Sequence, residues 1–225
     1  MISVVMSTYN SCDSIQSSIE SILNQSYKDF EFLIVDDYSD DETLEILKEY
    51  ESCDKRIKVY KNGQNLGLTK SLNFLIEKSS TEFIARHDAD DLSLVDRLET
   101  QINFLLNSKN KIVTSRAINM QTKKKRPKFS HHFPQKFTLK YKNPFIHGTL
   151  MIQKKMMYEF GLYDEKFYYS QDYKLFYEIS MSGINIPILS KPLYVLNTEN
   201  NISTKNQKEQ KYYAECVKRK LVPNI

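Results

Sequence analysis

Two acidic clusters stand out in the first part of the chain: Asp36-Asp37-Tyr38-Ser39-Asp40-Asp41 and Asp88-Ala89-Asp90-Asp91. Carboxylates this close repel and raise one another's pKa unless hydrogen bonds or a cation compensate. A hard divalent ion, Mg²⁺ or Mn²⁺, is the natural compensator for carboxylate oxygens. The alternate spacing of Asp88 and Asp90 lets two carboxylates at a strand end approach one ligand. Asp40, Asp41 and Asp91 also precede helical patterns, where an acid favours the positive end of the helix dipole. We read Asp40 and Asp41 as helix-capping residues, and Asp88 and Asp90 as metal and ligand residues. Asp172 opens an amphipathic stretch and, taken alone, reads as a cap.

The elements that must carry these acids follow from the apolar pattern. Strands are expected at 2–6, 30–35, 57–60, 82–86 and 111–116. Ile15, Ile19, Ile22 and Leu23 recur at helical spacing over about 13–25. Ser39 and Glu42 have capping-box spacing, which starts a second helix near residue 40. Leu68, Leu72, Leu75 and Ile76 mark a third helix, and Leu94, Leu98, Ile102 and Leu105 a fourth. This alternation implies right-handed crossovers and an α/β fold with a mostly parallel, Rossmann-like sheet flanked by helices. Ligands of such sheets gather at the carboxyl ends of the strands. Both acidic clusters fall there, as does the polar stretch Ser7-Thr8-Tyr9-Asn10-Ser11.

The second half reads differently. Residues 121–143 form a polar, basic loop or hairpin. Phe145 to Ile152 reads as a strand interrupted at His147-Gly148, and helices are expected at 154–160, 171–182 and 205–220. One continuous domain is expected over 1–225, with a ligand-binding half at 1–105 and a second functional half at 106–225.

Charge divides the same way. The chain has 225 residues and a net charge of only +4. Residues 1–100 hold 20 acids and 10 bases, while residues 101–225 hold 8 acids and 22 bases, a split of −10 and +14. Such asymmetry suggests two jobs on one chain. Composition excludes several classes. The five glycines are too scattered for a G-x-G-x-x-G turn or a P-loop. The three cysteines lack metal-site or disulfide spacing, so a reducing, cytoplasmic setting is expected. No apolar run reaches membrane-spanning length. The basic half with its tyrosines would suit nucleic acid, but the strand-end acids would repel phosphate and no nucleic-acid motif occurs, so no nucleic-acid partner is expected.

Several stretches together resemble the family 2 glycosyltransferases. They are Val4-Val5-Met6-Ser7-Thr8-Tyr9-Asn10, Ser21-Ile22-Leu23-Asn24-Gln25-Ser26-Tyr27, and Val35-Asp36-Asp37-Tyr38-Ser39-Asp40-Asp41-Glu42-Thr43. Further along come Asn65-Leu66-Gly67-Leu68, then Asp88-Ala89-Asp90-Asp91 with Asp96-Arg97-Leu98, and Gly161-Leu162-Tyr163-Asp164-Glu165 with Gln171-Asp172. They stand in family order over residues 1 to about 183. The resemblance implies a GT-A fold and inverting transfer of a sugar from a nucleoside diphosphate donor, usually UDP-linked. Thr8 and Tyr9 would hold the nucleoside. Asp37 would accept a hydrogen bond from the uracil, with Asp36 supporting its loop. Asp88 would contact the ribose or sugar, and Asp90 a divalent cation, with Asp91 close by. Asp172 matches the catalytic base, which removes the proton of the acceptor hydroxyl.

The chain also departs from the family. Gln171-Asp172 stands where Glu-Asp is common. Glu199-Asn200-Asn201-Ile202-Ser203 resembles a segment usually preceded by Arg and His, where this chain has Leu196 and Thr198. The Q-x-x-R-W signature of processive synthases is missing, which implies addition of one sugar. The acceptor implied is a saccharide or a lipid-linked glycan of the bacterial envelope. The Lys123 to Lys128 run is a solvated charge run or a contact for anionic lipid or a phosphate-bearing acceptor. The C-terminal helix either lies at a membrane surface or packs on the core. A peripheral position at the inner face of the cell membrane is therefore part of the expectation. His147 is expected to hydrogen-bond structurally or to serve the acceptor. Adjacent His131 and His132 are expected to be solvated loop residues, Arg97 to order the acidic loop from behind, and Lys70 to be an exposed helical residue.

Overall fold

The computed structural model describes residues 1–128, 133–199 and 206–224. His131 and His132, and residues 200–203 of the family-like segment, lie outside the described residues. The first strands are those the apolar pattern predicts: β1 (Ile2–Thr8), β2 (Phe30–Asp36), β3 (Ile57–Lys61) and β4 (Phe83–Arg86). β1 pairs in parallel with β2 and β4, and β2 with β3. Three helices make the crossovers: α1 (Ile15–Leu23), α2 (Thr43–Cys53) and α3 (Leu68–Lys78). α4 (Arg97–Leu106) leads into β6 (Ile112–Asn119).

Both faces of the sheet are covered, so these strands are almost continuously apolar. The two-residue period still sorts them. Ile2, Val4 and Met6 of β1 join Phe32 and Ile34 in a core against Ile15, Ile19 and Ile22 of α1 and Leu98 and Ile102 of α4. Val5, Leu33 and Val35 point the other way, onto Leu72, Leu75 and Ile76 of α3. That second core continues into α6 (Lys154–Glu159), α7 (Gln171–Met181) and α8 (Gln207–Arg219), through Met156, Phe176 and Val217. Each fully buried aliphatic side chain contributes about 1.5–3 kcal/mol.

Among the described residues the sheet has nine strands, including β5 (Leu92–Ser93), β7 (Lys125–Arg126), β8 (Met151–Gln153) and β9 (Ile188–Leu196), in the order β3-β2-β1-β4-β8-β6-β9-β5 with β7 beside β6. β8 (Met151–Gln153) runs antiparallel to both β4 and β6. The apolar stretch before it is a 3₁₀ turn at His147–Thr149 rather than strand. β9 (Ile188–Leu196), which the sequence pattern did not announce, lies parallel to β6 and antiparallel to the two-residue β5 (Leu92–Ser93). The basic stretch forms a short hairpin, β7 (Lys125–Arg126) against Ala117 and Ile118, followed by one helical turn, α5 (Gln135–Thr138). The expected capping box does not form: Ser39 Oγ accepts from the Asn10 N–H, and α2 begins only at Thr43. Among the described residues no helix is long and apolar enough to cross a membrane.

Candidate active site

β1 and β2 end side by side, with Thr8 opposite Asp36. The Asp37 N–H donates to the Thr8 carbonyl (2.8 Å), closing this end of the sheet. The Asp37 carboxylate is buried and receives three donors: Asn62 Nδ2 at 2.7 Å, and the Leu66 and Gly67 N–H groups at 2.8 Å each. These draw the Asn62–Gly67 loop under the site. Two of the donors share Oδ1, so Oδ2 keeps an acceptor position. Gly67 has φ +84°, and a Cβ there would lie 2.6 Å from the Tyr168 ring. Asp36 is fully buried; Oδ2 takes the Ser39 N–H at 3.2 Å. Asp36 Oδ1 and Thr8 Oγ1 have no hydrogen-bond partner among the described residues. Tyr9 and Tyr38 stand half in solvent beside them. Asp41 accepts from the N–H groups of Cys12 and Thr43, a capping role at the start of α2.

The second cluster leaves β4. Arg86, at the strand end, is 1% exposed, and its Nη2 donates to Asp88 Oδ1 at 2.5 Å. Tyr194 of β9, wholly buried, accepts the Asp88 N–H at 3.0 Å and lies beside the Asp91 carboxylate. Asp91 is also buried, and its Oδ1 receives the Asn197 N–H at 2.6 Å. Burial, with Asp88 and Asp90 close by, pushes the Asp91 carboxyl well up. Burial and the Asp88 charge push Asp90 up to about 6. No other residue donates to the Asp90 carboxylate among the described residues, which leaves its oxygens open. Nowhere among them do three His, Cys, Asp or Glu side chains converge to hold a metal unaided. Asp90 therefore fits a cation whose other ligands come from outside the chain.

Arg97 sits behind the loop as expected. It is wholly buried, donates to the Arg86 carbonyl, Ser93 Oγ and Gln101 Oε1, and lies 5.0 Å from the Tyr194 ring centroid. His87 is held by Ser18 Oγ and Ser93 Oγ; burial and the two arginines depress its pKa, so it stays neutral.

The third acid comes from the other half. Asp172 lies in the first turn of α7, after Ser170 in a left-handed conformation. Asn143 Nδ2 donates to its Oδ2 at 2.8 Å. Burial pushes the Asp172 carboxyl up to about 6; the Asp88 charge adds to this and Arg86 opposes it. Asp172 thus feels the Asp88 charge without belonging to that loop. His147 faces the same region, neutral because of burial and Arg86, and hydrogen-bonded through Nε2 to the Tyr163 hydroxyl at 2.7 Å. β9 ends at Leu196, and just beyond it Thr198 Oγ1 accepts from Asn119 Nδ2. Lys70 is exposed on α3.

The fold therefore brings the ends of β1, β2 and β4 together and sets Asp172 across from them. Arg86, Asn143, Tyr163 and Tyr194 also belong to the site and were missed. Arg86 had a signal, standing two residues before Asp88 on the same strand end. The other three are placed only by tertiary packing.

A mixed sheet with acids at its carboxyl edge and one separate carboxylate agrees with the GT-A fold that the sequence motifs imply. Residues 3–163 match glycosyl transferase family 2, and the chain belongs to that family. An Escherichia coli O-antigen biosynthesis glycosyltransferase, WbnJ, is 36% identical over 96% of this chain and 85% of its own length. S. aureus TarS (residues 1–349) in complex with UDP superposes with a TM-score of 0.74, at 21% identity, over 96% of this chain and 64% of that one. A mannosyltransferase from Pyrobaculum calidifontis with GDP-Man and Mn²⁺ superposes with a TM-score of 0.72, at 17% identity, over 94% of this chain and 61% of that one.

Proposed function

We propose that the chain moves a single sugar from a UDP-linked donor to a hydroxyl of a saccharide or lipid-linked acceptor, with inversion at the anomeric carbon. The process is assembly of a bacterial envelope polysaccharide. The observation that carries the reading is Asp172: a carboxylate held near pH 6, opposite the strand-end acids and on a separate element. A hydroxyl is a weak nucleophile, and a positioned carboxylate of that pKa can take its proton as the new bond forms. One displacement with one base inverts the configuration.

The other roles follow from position. Thr8 and Tyr9 hold the nucleoside, and the spare acceptor position on Asp37 Oδ2 suits a uracil N–H, with Asp36 beneath. Asp88, fixed by Arg86 and Tyr194, turns its second oxygen to the ribose or sugar. Asp90 holds a divalent cation, Mn²⁺ or Mg²⁺, and Asp91 backs it. Such an ion would supply Lewis-acid neutralisation of the departing diphosphate. The UDP complex of TarS and the Mn²⁺ complex of the mannosyltransferase support the donor and metal assignments by likeness. The strand-end face at 1–105 serves the donor, and the half at 106–225 serves the acceptor. The exposed Lys123–Lys128 hairpin suits peripheral contact with the anionic inner face of the membrane.

The test is calorimetric titration with UDP, with and without Mn²⁺, followed by a turnover panel of UDP-glucose, UDP-galactose, UDP-GlcNAc and UDP-GalNAc. UDP binding that Mn²⁺ strengthens and Asp90→Ala weakens is expected, with hydrolysis of at least one donor. No UDP binding, or no turnover of any donor, would sink the reading.

A further inference from the structure

Asp172 takes one side-chain donor among the described residues, Asn143, whose Nδ2 lies 2.8 Å from Oδ2. The Asn143 amide cannot turn over. Its Oδ1 accepts the Phe145 N–H at 3.0 Å. Reversing the amide would lose that bond and set two acceptor oxygens against each other. Asn143 therefore meets Asp172 only as a donor. A fixed donor favours the charged carboxylate over the neutral acid.

The segment that carries Asn143 is matched to α7. Pro144 biases the residue before it towards extended backbone. Residues two apart in an extended chain point the same way and stand about 6.6 Å apart. Residues four apart on a helix share a face and stand about 6 Å apart. Asn143 and Phe145 thus meet Asp172 and Phe176, four residues apart on α7, and the two phenyl centroids are 4.8 Å from each other. Both phenyl rings are buried, so their contact sets the height at which the amide reaches the carboxylate.

The other influences on Asp172 are few. Burial raises its pKa, the Tyr173 N–H lowers it, and from the end of β4 Asp88 raises it and Arg86 lowers it. His147 and Tyr163 are neutral; burial depresses the first and raises the second. On α7 itself, Lys174 and Glu178 pair with each other. Tyr173 donates its hydroxyl to the Leu139 carbonyl and stays neutral through burial, with Tyr177 and Glu215 of α8 adding to this. Lys136, Lys140 and Lys142, on and after α5, are exposed.

We infer that Asn143 is the positioning residue of the base: it holds Asp172 by Oδ2, keeps the carboxylate charged against its burial, and presents Oδ1 to the acceptor hydroxyl. No side chain donates to Oδ1 among the described residues. The hydroxyl oxygen bonds to the anomeric carbon, the bond from that carbon to the UDP oxygen breaks with its electron pair leaving on UDP, and the hydroxyl proton goes to Asp172 Oδ1. This rests on the sugar-transfer reading and adds the group that sets its base.

Two variants test it. Asn143→Leu keeps the size and removes the donor. Asn143→Asp keeps the shape and sets a second carboxylate against the first. The first readout is the carboxyl titration of Asp172, followed by carboxyl-carbon NMR and assigned by its loss in Asp172→Asn. Losing a hydrogen bond to the charged form is expected to move its midpoint up by about one to two pH units in Asn143→Leu. In Asn143→Asp the pair shares one proton, and its upper step is expected still higher. The second readout is hydrolysis, with Mn²⁺, of whichever of UDP-glucose, UDP-galactose, UDP-GlcNAc or UDP-GalNAc the parent turns over. The acid limb of kcat is expected to move with the titration, a loss of about 5- to 50-fold at pH 6 in Asn143→Leu, with UDP affinity unchanged. Added to Asp172→Asn, the same change is expected to cost no further rate. A midpoint unmoved in both variants would overturn the inference, as would an equal loss of kcat at every pH, which is what a merely structural defect gives. Asn143→Asp carries the test alone if Asn143→Leu does not fold. An unmoved midpoint in a protein that turns over a donor refutes the positioning role alone. A moved midpoint with no donor turnover by the parent refutes the sugar-transfer reading and leaves Asn143 as the residue that holds Asp172 charged.

Discussion

Gly148 offers the sharpest test of how the acidic loop is held. It sits in the 3₁₀ turn under that loop. A Cβ added there would lie 2.5 Å from the Tyr194 hydroxyl oxygen and 2.7 Å from both Tyr194 Cζ and Asp88 Oδ2. Non-bonded heavy atoms prefer about 3.5–4.0 Å, so about 1 Å must be found. Tyr194 cannot supply it. Its ring is wholly buried, edge-on to His87 at 5.6 Å and facing Arg97, and its hydroxyl accepts the Asp88 N–H. Asp88 is fixed by Arg86. The displacement must therefore pass into the 88–91 loop. Overpacking of this kind costs about 1–3 kcal/mol, or about 2–12 °C in Tm for a chain of this size. If the displaced loop binds the donor, UDP affinity falls by a similar energy, roughly 5- to 150-fold. Gly63→Ala is the control, since nothing lies within 4 Å of a Cβ at that position. The assays are thermal unfolding and calorimetric UDP titration with Mn²⁺. A Gly148→Ala protein that melts lower but binds UDP like the parent would refute the assignment of the loop to the donor. One unchanged in both would refute the steric reasoning.

Three other outcomes follow from the site and its surroundings. Asp172→Asn should keep UDP binding and lose about 10²–10⁴-fold in transfer rate, the usual contribution of a general base; wild-type turnover in that variant would exclude Asp172 as base. Because the Asp172 carboxyl is raised to about 6, the base is protonated below that pH, so kcat should fall about tenfold per unit below pH 6 and level off above it. A rate profile flat from pH 5 to 8 would contradict this. Glu31, buried at the opposite end of β2, is pushed up by burial but more strongly held down, to about 2, by Ser3, Ser80 and Lys58. Its stabilisation is complete above its unfolded value of 4.5 and lost as pH falls through 2, about 3 kcal/mol in all. Urea unfolding of Glu31→Gln should therefore show a weaker loss of stability between pH 5 and pH 2 than the parent, and parallel curves would refute the linkage.

Strands β1 to β4 and their crossover helices were legible because burial on both faces leaves unbroken β-branched runs, and helix burial leaves a 3.6-residue stripe. The acids were legible for a related reason: charge at the end of an apolar strand has no packing explanation. β9 was not legible. Lys191-Pro192 interrupts it, most of its side chains are only partly buried, and its register against β6 shifts at Ser115 to Ala117. A strand pattern broken by proline and a bulge reads as loop. Tyr194 was lost with it, since a tyrosine in a presumed loop carries no signal. Asn143 escaped because its partner, Asp172, is 29 residues away and on a different element. The role of Asp37 was only half visible: a family-like acid was expected to meet a ligand, and it also holds the Asn62–Gly67 loop.

The strand that went unread joins the two faces of the site. Tyr194 holds the backbone of Asp88 from beneath, and the Asn197 N–H just beyond β9 holds the Asp91 carboxylate. Leu196, between them, lines a cavity beneath the β6–β7 hairpin and α5, as does Thr198. One extended segment thus touches the 88–91 loop through the Tyr194 hydroxyl and the Asn197 N–H and also contributes Leu196 and Thr198 to the cavity wall. A one-residue slip of β9 on β6 would turn Tyr194 to the opposite face of the sheet, away from Asp88 and Arg97. The Pro192 bulge and the buried Tyr194–Arg97 stack oppose that slip. The irregularity that hid the strand therefore belongs to the pairing that keeps Tyr194 under the 88–91 loop.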